Sequence, residues 1–345
     1  MRVLVTGHLG YIGPIVVRRF KQAGHFVAGI DTGYFRDALA SDADVAPDVE
    51  IRKDVRQIDG NDISGFDCIV LLAALSNDPM GELSADLTMQ INHQASVNIA
   101  RLAKAAGVQR FIFASSCSLY GAASTDRPLT EEAPFNPVSA YALSKALTEG
   151  ALRDLADENF SPVCMRNATA FGVSPRMRFD LVLNNLMAWA TLAQRVRVTS
   201  DGTPWRPLVH IEDIAHAMLC AAEAPRSAVH NESFNIGRTD CNYRIRDIAV
   251  TVAREVPGAT LEITGESSGD PRSYRVDFSK AARQLPGFSP TWTLERGCRQ
   301  IADWFASRHE SVESFQSRQF VRLKQLKHLL EQRQLTSALF WADAG

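Results

Sequence analysis

A tyrosine and a lysine four residues apart are the side chains of this sequence best suited to proton transfer. In Tyr141-Ala-Leu-Ser-Lys145 the phenol and the ammonium project from one face of a helix and can share a pocket. A free tyrosine, with a pKa of about 10, is a poor base at neutral pH, but a nearby cation stabilises its ionised form. The pair therefore suits removal of a proton from an alcohol as hydride leaves, and the reverse reaction. The alternative is a surface tyrosine beside a solvated lysine.

A serine-rich stretch upstream of this pair offers hydroxyl groups to the same chemistry. The apolar run at residues 111–114 has the composition of a buried strand, and three serines follow it before Tyr120-Gly121. A hydroxyl at this place can hydrogen-bond the reacting oxygen and orient it for proton transfer. The three candidates are Ser115, Ser116 and Ser118.

A glycine-rich turn near the N-terminus has the pattern of a dinucleotide site. Thr6-Gly7-His8-Leu9-Gly10-Tyr11-Ile12-Gly13 follows an apolar run and opens a helix. Its glycines permit the tight turn, the approach of backbone amides to a pyrophosphate and close helix packing. Asp31 ends the next apolar run, where a carboxylate accepts hydrogen bonds from ribose hydroxyls and repels a 2′-phosphate. We therefore expect NAD rather than NADP, bound by Gly7, Gly10, Tyr11, Ile12, Gly13 and Asp31.

The elements that must position these groups are visible in the first half of the chain, where short apolar runs alternate with amphipathic stretches. This alternation predicts an α/β fold with a Rossmann-type doubly wound parallel sheet. The predicted strands are 3–5, 26–30, 68–73 and 111–114, and the predicted helices are 11–23, 85–106 and 138–156. Gly24 and Gly107 lie where helix C-terminal caps belong.

From about residue 171 onward prolines interrupt shorter elements, which predicts a smaller mixed α/β substrate lobe. We expect an NAD-binding domain over residues 1–170 with a returning segment at about 207–237, and a substrate-binding lobe over 171–206 and 238–308. A C-terminal helical extension covers 309–345. Its leucines recur at helical spacing, as in an amphipathic helix that packs on its own subunit or forms an oligomer contact.

Composition excludes several classes of function. The chain has 37 Lys and Arg against 39 Asp and Glu, so no global basic field holds nucleic acid or an anionic membrane. The start of the sequence lacks the pattern of a secretory signal, and we expect a cytoplasmic protein without membrane association. The six cysteines show no metal-ligand spacing, which predicts reduced core residues and no metal site.

Together these motifs resemble the extended short-chain dehydrogenase/reductase family, in its NAD-dependent nucleotide-sugar epimerase/dehydratase branch (UDP-galactose 4-epimerase-like). The resemblance covers about the first 305 residues, and residues 6–13 match the family's TGxxGxxG pattern in full. It implies a homodimer formed through the helices near 92–106 and 138–156. It also implies cofactor contacts from Asp54, Val55, Ala73, Ala74, Asn92, Tyr141 and Lys145. Asp54 alone could equally be a solvated loop acid, and Ala73, Ala74 and Asn92 could be packing residues.

The resemblance also bears on the reaction. Alignment on Tyr120-Gly121 makes Ser116 the catalytic hydroxyl beside Tyr141 and Lys145, with Ser115 and Ser118 as stand-ins. Sugar dehydratases of the family carry an Asp-Glu pair directly after this hydroxyl, whereas this chain has Cys117 and Ser118. We therefore expect an epimerase, acting at C4 through a transient keto sugar. A dehydratase, decarboxylase or keto-sugar reductase of the same family and a non-catalytic NAD-binding scaffold are the alternatives, and Cys117 is either a buried core residue or a reactive thiol.

The second lobe should grip the diphosphate of a nucleotide-sugar substrate. The segments around residues 184–186, 202–213 and 270–277 resemble family blocks that do so, with Arg275 as a competitor of Arg272. Thr169 stands where the family has an asparagine, and Asn167 lies two residues earlier. Residues 76–80 follow a cofactor strand, and we expect them to border the sugar without assigning their roles. The expected substrate-binding residues are Ser116, Thr169, Asn185, Leu186, Arg206 and Arg272.

Overall fold

The computed structural model describes residues 1–40, 46–122, 127–266 and 272–342. Its strands are β1 (Arg2–Thr6), β2 (Phe26–Asp31), β3 (Val49–Arg52), β4 (Cys68–Leu71), β5 (Arg110–Ser116), β6 (Ser161–Asn167), β7 (Thr169–Phe171), β8 (Arg195–Val198), β9 (Trp205–His210), β10 (Glu232–Ile236), β11 (Asn242–Arg244) and β12 (Thr260–Ile263).

The α-helices are α1 (Gly13–Gln22), α2 (Gly60–Ile63), α3 (Asp78–Gly81), α4 (Ala85–Thr88), α5 (Ala95–Ala105), α6 (Ala140–Leu155), α7 (Val182–Ala193), α8 (Ile211–Glu223), α9 (Arg226–Val229), α10 (Ile245–Glu255), α11 (Ser279–Gln284), α12 (Leu294–Ala306), α13 (Val312–Phe315) and α14 (Arg322–Glu331). Short 3₁₀ helices cover Val55–Gln57 and Cys117–Tyr120, and a π-helical segment covers Met89–Gln94. No helix among the described residues is both long enough and apolar enough to cross a membrane.

Seven parallel strands form the main sheet, in the order β10-β6-β5-β4-β1-β2-β3. This confirms the predicted α/β fold with a doubly wound sheet. The strand order reverses at β1, so a crevice opens beyond the carboxyl ends of β1 and β4, where such folds bind ligands. All four residues of β4 are buried, as expected for a central strand covered on both faces.

The predicted strand 68–73 ends earlier, at Leu71. Leu72 still donates from its backbone to the Thr6 carbonyl (3.1 Å), but Ala73 turns its N–H to the Thr6 hydroxyl (3.4 Å). Residues 73 and 74 therefore lie in a loop over the crevice. The glycines at 24 and 107 have φ values of 81° and 78° and end α1 and α5 as predicted.

The predicted helix 85–106 is interrupted by the π-helical segment Met89–Gln94 between α4 and α5. The wider turn frees the carbonyl of Asn92, which accepts hydrogen bonds from Ser96 (2.7 Å) and Thr148 (3.3 Å). The Asn92 side chain points at the chain that follows β4. Segments of this kind often lie next to functional sites.

The second lobe has mixed pairing. In one small sheet β7 is parallel to β9, which is antiparallel to β11, and in another β12 is parallel to β8. Strand β10 rejoins the main sheet beside β6, inside the predicted returning segment 207–237, whereas β9 at the start of that segment belongs to the smaller sheet. The domain limits themselves stay a prediction.

The C-terminal extension packs on its own subunit. Leu326 and Leu329 of α14 and Leu339 beyond it are buried against the helices and strands of the main sheet. The backbone N–H of Phe179 donates to the Phe320 carbonyl at 3.1 Å. The six cysteines are free and buried.

Candidate active site

A cavity of about 650 Å³ lies at the carboxyl ends of the central strands and extends toward the second lobe. This size is within the usual range for small-molecule sites. Apart from Asn92, every site residue predicted from the sequence lines it: Gly7, Gly10, Tyr11, Ile12, Gly13, Asp31, Asp54, Val55, Ala73, Ala74, Ser116, Tyr141, Lys145, Thr169, Asn185, Leu186, Arg206 and Arg272.

The glycines of the turn let backbone segments pack more closely than side chains would allow. Gly7 has a φ of 77°, and a Cβ atom there would lie 2.7 Å from the Ala73 nitrogen. A Cβ atom at Gly13 would lie 2.5 Å from the Gly7 carbonyl oxygen. Tyr11 and Ile12 line the cavity, and their backbone N–H groups donate to no other described residue. Two unpaired amides at the start of α1 fit the diphosphate of a dinucleotide.

Asp31 is placed to bind a ribose beside this turn. Its carboxylate accepts backbone hydrogen bonds from Leu9 (3.1 Å) and Gly33 (2.8 Å), one on each oxygen. Each oxygen keeps acceptor capacity toward the cavity. The residues present therefore fit NAD, and a ribose contact from Asp31 stays a prediction.

Asp54 and Val55 line the end of the cavity beyond Asp31. Asp54 is buried and forms a bidentate ion pair with Arg56, at 2.9 Å to Nε and 2.7 Å to a terminal nitrogen. The alternative of a solvated loop acid is therefore wrong. Because Arg56 already occupies the carboxylate, Val55 is the better placed of the two for an apolar contact with a base.

Asn92 lies behind the cavity wall. Its side-chain oxygen accepts from the Leu75 backbone N–H (2.8 Å), and its nitrogen donates to the Leu75 carbonyl (3.1 Å). With both ends of its amide satisfied in the core, Asn92 fixes the loop at 73–75 from behind. The prediction that Asn92 contacts the cofactor is corrected to a positioning role, since its amide is used to hold backbone.

The tyrosine, lysine and serine of the proposed catalytic group meet at the carboxyl end of β5. Helix α6 begins after Ser139, whose hydroxyl caps it by accepting from the Ala142 N–H (3.1 Å). The ammonium of Lys145 donates to the Ala114 carbonyl (2.7 Å) and lies 5.7 Å from the centre of the Tyr141 ring. The Ser116 hydroxyl lies close enough to the Tyr141 phenol to favour the ionised form of that phenol.

Burial dominates the ionisation of this pair. Burial raises the pKa of Tyr141 to about 12, although the nearby Ser116 hydroxyl acts to lower it. Burial lowers the pKa of Lys145 to about 7, against the attraction of Glu149. The cations that favour ionised Tyr141 most in the structure are Arg178 and Arg272, and Asp78 opposes them. Sequence reasoning missed Arg178 in this role.

The neighbouring serines and Cys117 have distinct environments. Ser115 is buried and donates to Glu149, which also binds Arg166, so it is part of the core. Ser118 donates its backbone N–H to the Ser116 oxygen (3.1 Å), and its own buried hydroxyl lines the cavity without a described partner. Cys117 is buried, and its thiol donates a hydrogen bond to the Arg166 carbonyl (3.1 Å). Burial raises the pKa of this thiol, so Cys117 is a core residue rather than a reactive thiol.

Of the described residues, four carboxylates line the cavity, and each already has a partner. Asp31 accepts hydrogen bonds from two backbone N–H groups, and Asp54 forms an ion pair with Arg56. Asp78 pairs with Arg272 and accepts from the Ser139 hydroxyl. Asp180 forms a bidentate pair with Arg178, with both contacts at 2.8 Å. Although burial opposes it, Arg178 lowers the pKa of Asp180. These carboxylates therefore act as partners of cations and amides.

The second-lobe end of the cavity brings together the predicted substrate residues. Arg206 donates to the carbonyls of Trp205 (2.9 Å) and Arg272, which ties the two arginine segments together. Arg275 instead lies 5.0 Å from the centre of the Trp205 ring, outside the cavity lining, so Arg272 is the better candidate. Asp270 and Pro271 of this block lie outside the described residues.

Two amide side chains, one at the end of β6 and one on α7, belong to residues that line the cavity. Asn185 donates to the Phe179 carbonyl (2.9 Å), which holds the start of α7 against the cavity. The side-chain oxygen of Asn167 is buried in the lining and has no described partner, beside Thr169. Asn167 therefore offers the amide that Thr169 lacks. Residues 76–80, which lead into α3, also line the cavity, and their contact with a sugar stays a prediction.

Comparison with known proteins is consistent with this geometry. A sequence profile of the NAD dependent epimerase/dehydratase family matches residues 3–237. The UDP-glucose 4-epimerase of Mycolicibacterium smegmatis is 28% identical over 327 residues, which cover 90% of this chain and 100% of that protein.

Solved structures share the fold. MoeE5 in complex with UDP-glucuronic acid and NAD is 25% identical, with a TM-score of 0.77 over 89% of this chain and 99% of that one. TunA, an NAD-dependent NDP-hexosamine 5,6-dehydratase, is 23% identical, with a TM-score of 0.76 over 89% of this chain and 98% of that one.

Proposed function

The chain belongs to the NAD dependent epimerase/dehydratase family, and we propose that it is a nucleotide-sugar epimerase that acts through a transient keto sugar. The observation that carries this proposal is the convergence of Ser116, Tyr141 and Lys145 on a cavity whose carboxylates are all engaged. Such a site can move a proton on an alcohol oxygen, and its described carboxylates leave no free acid and base for removing water.

The glycine-rich turn and Asp31 would hold NAD, which would supply the hydride acceptor and donor and, when oxidised, a positive charge on its ring. The chain supplies the rest. Tyr141 removes the proton of the sugar hydroxyl and later gives it back to the carbonyl oxygen. Ser116 donates a hydrogen bond to the same oxygen, since its own oxygen accepts from the Ser118 N–H. Lys145 donates a hydrogen bond to the Ala114 carbonyl, which keeps its ammonium next to the Tyr141 ring. When it is protonated, its charge favours ionised Tyr141.

Epimerisation further requires the keto sugar to present its other face, so the sugar must turn while the nucleotide stays bound. Arg206, Arg272 and the backbone at 185–186 are proposed to hold the diphosphate at the second-lobe end. The polar groups without partners, the Ser118 hydroxyl and the Asn167 oxygen, then offer hydrogen bonds to the sugar in either orientation.

A dehydratase is the second candidate, because Asp78 lies close enough to Tyr141 to raise its pKa. Asp78 would have to leave Arg272 and Ser139 to act as an acid or base. This engagement makes it the weaker proposal.

A homodimer is also proposed. Leu143 and Leu147 lie one helical turn apart on α6 and are each 43% exposed. Their position on the helix opposite Tyr141 and Lys145 would let two copies pair without closing the cavity. A cytoplasmic location stays a prediction.

The test is incubation of the purified protein with UDP-, dTDP-, GDP- and CDP-sugars, followed by proton NMR of the products and absorbance of reduced cofactor. A stereoisomer formed without added NADH supports the proposal and identifies the substrate. Loss of water or carbon dioxide, or a reaction that needs NADH and a keto sugar, would replace epimerisation with the corresponding alternative.

A further inference from the structure

A buried arginine from the C-terminal extension forms part of the cavity wall. Arg322 is the first residue of α14, lies beyond the residues that the family profile matches, and is 1% exposed. Its guanidinium donates to the carbonyls of Arg176 (2.9 Å) and Gln319 (3.3 Å) and lies 4.6 Å from the centre of the Phe35 ring.

Within the described part of the chain, no carboxylate forms an ion pair with Arg322. Among the described residues no carboxylate lies within 4.0 Å of it, and its charged neighbours are Arg176, Arg178, Asp31 and Asp180. Asp180 is already paired with Arg178. Burial, followed by repulsion from Arg178, lowers the pKa of Arg322 to about 9. A buried cation without an anion costs free energy, so its presence in a ligand cavity indicates an anionic ligand.

The position of Arg322 indicates which anion. Its charge acts on Asp31 at the end of β2 and on the phenol of Tyr11 in the glycine-rich turn. The unpaired N–H groups of Tyr11 and Ile12 belong to the same turn. An anion between that turn and Arg322 would meet backbone amides on one side and a guanidinium on the other.

The segment that carries Arg322 is anchored to the loop after β2. We call residues 320–342 the C-terminal strap. Gln325 donates to the Tyr34 carbonyl (3.1 Å), and the indole N–H of Trp341 donates to the Thr32 carbonyl (2.7 Å). Arg56 donates to the Ala338 carbonyl (2.8 Å). The strap thus holds the loop at 32–35, which lines the cavity, from its outer side.

We propose that Arg322 binds the diphosphate of NAD and that the C-terminal strap retains the cofactor by holding this arginine and the loop at 32–35 around it. The substrate carries a diphosphate too, but Arg206 and Arg272 provide cations for it in the second lobe. The cofactor is therefore the partner of Arg322.

The experiment compares Arg322→Met with Arg333→Met, which removes an exposed arginine of the same strap, and with Arg322→Lys. Calorimetric titration of protein freed of cofactor measures the Kd values for NAD, ADP-ribose and adenosine. We expect Arg322→Met to bind NAD and ADP-ribose about 30- to 100-fold more weakly, which corresponds to about 2–3 kcal/mol, and adenosine within about twofold of the parent. Arg333→Met should match the parent, and Arg322→Lys should recover part of the loss because it keeps a charge.

A second measurement separates ligand binding from a structural role. Thermal melting without cofactor should show Arg322→Met at least as stable as the parent, because an unbalanced buried charge is gone, while the stabilisation by added NAD shrinks. A lower melting temperature together with an equal loss of adenosine binding would mean that Arg322 only holds the fold. Weaker binding of nucleoside diphosphates to NAD-saturated protein, with unchanged NAD affinity, would assign Arg322 to the substrate. Either result overturns the proposal.

Discussion

Lys145→Met is expected to make the cofactor-free protein more stable at neutral pH while abolishing activity. Lys145 is 2% exposed, and burial lowers its pKa from 10.5 to about 7. Since one pKa unit corresponds to about 1.4 kcal/mol, this lysine costs the folded protein about 4 kcal/mol at pH 7. The substitution also removes the hydrogen bond from Lys145 to the Ala114 carbonyl (2.7 Å), which offsets about 1–2 kcal/mol of the gain in stability. The variant should therefore gain about 2–3 kcal/mol in free energy of unfolding.

The same linkage gives a pH signature. Between pH 7 and about 10 the unfolded chain keeps the proton on Lys145 and the folded protein does not, so the parent gains stability as the pH rises. The advantage of Lys145→Met should shrink over this window. Lys324→Met is the matched control, because Lys324 also donates to a backbone carbonyl (2.6 Å, Gln316) but is exposed.

Urea unfolding of the parent and the two variants at pH 7 and pH 9.5, with cofactor removed, measures these differences. A Lys145→Met variant that is no more stable than the parent at pH 7, or whose advantage does not change with pH, would refute the reasoning. So would a pH-dependent gain of equal size in Lys324→Met.

Three further predictions concern the proton-transfer group, the cofactor and the dimer. Tyr141→Phe should lower kcat by about 10²- to 10⁴-fold and leave the Kd for NAD within a few-fold, as measured by product NMR and calorimetry; unchanged kcat would remove Tyr141 from the mechanism. Asp31→Asn should reduce the preference for NAD over NADP by about tenfold or more, because the carboxylate no longer repels a 2′-phosphate, and an unchanged ratio of Kd values would contradict the placement of the ribose. Leu143→Glu with Leu147→Glu should convert a dimer into a monomer in light scattering, with circular dichroism as the control for folding; a parent that is already monomeric would contradict the proposed interface.

The parts of the site that could be predicted lie on continuous segments with strong local signals. The glycine-rich turn, Asp31 and the Tyr141–Lys145 pair each follow from spacing around a strand or helix, and the structure brings them to one cavity. The fold followed from the same alternation of strands and helices. The sequence did not predict the end of β4 at Leu71 or the π-helical turn at 89–94. Both features depend on contacts with neighbouring segments, which a local pattern does not contain.

The missed site residues have no local signal. Arg178 and Arg322 lie on segments far apart in sequence, and their place in the cavity depends on tertiary packing. Isolated arginines are usually solvated, so neither could be distinguished from a surface residue. The error at Asn92 has a related cause, since a motif gives the residue but not the direction of its amide.

The central claim is that a hydride leaves the sugar and returns to the same carbon, with Tyr141 moving only the proton on oxygen. The most direct test is to run the reaction in D₂O without added NADH and to examine the product by NMR and mass spectrometry. The account predicts a stereoisomer whose reacting carbon still carries protium. Deuterium at that carbon, or a product that has lost water or carbon dioxide, would contradict it.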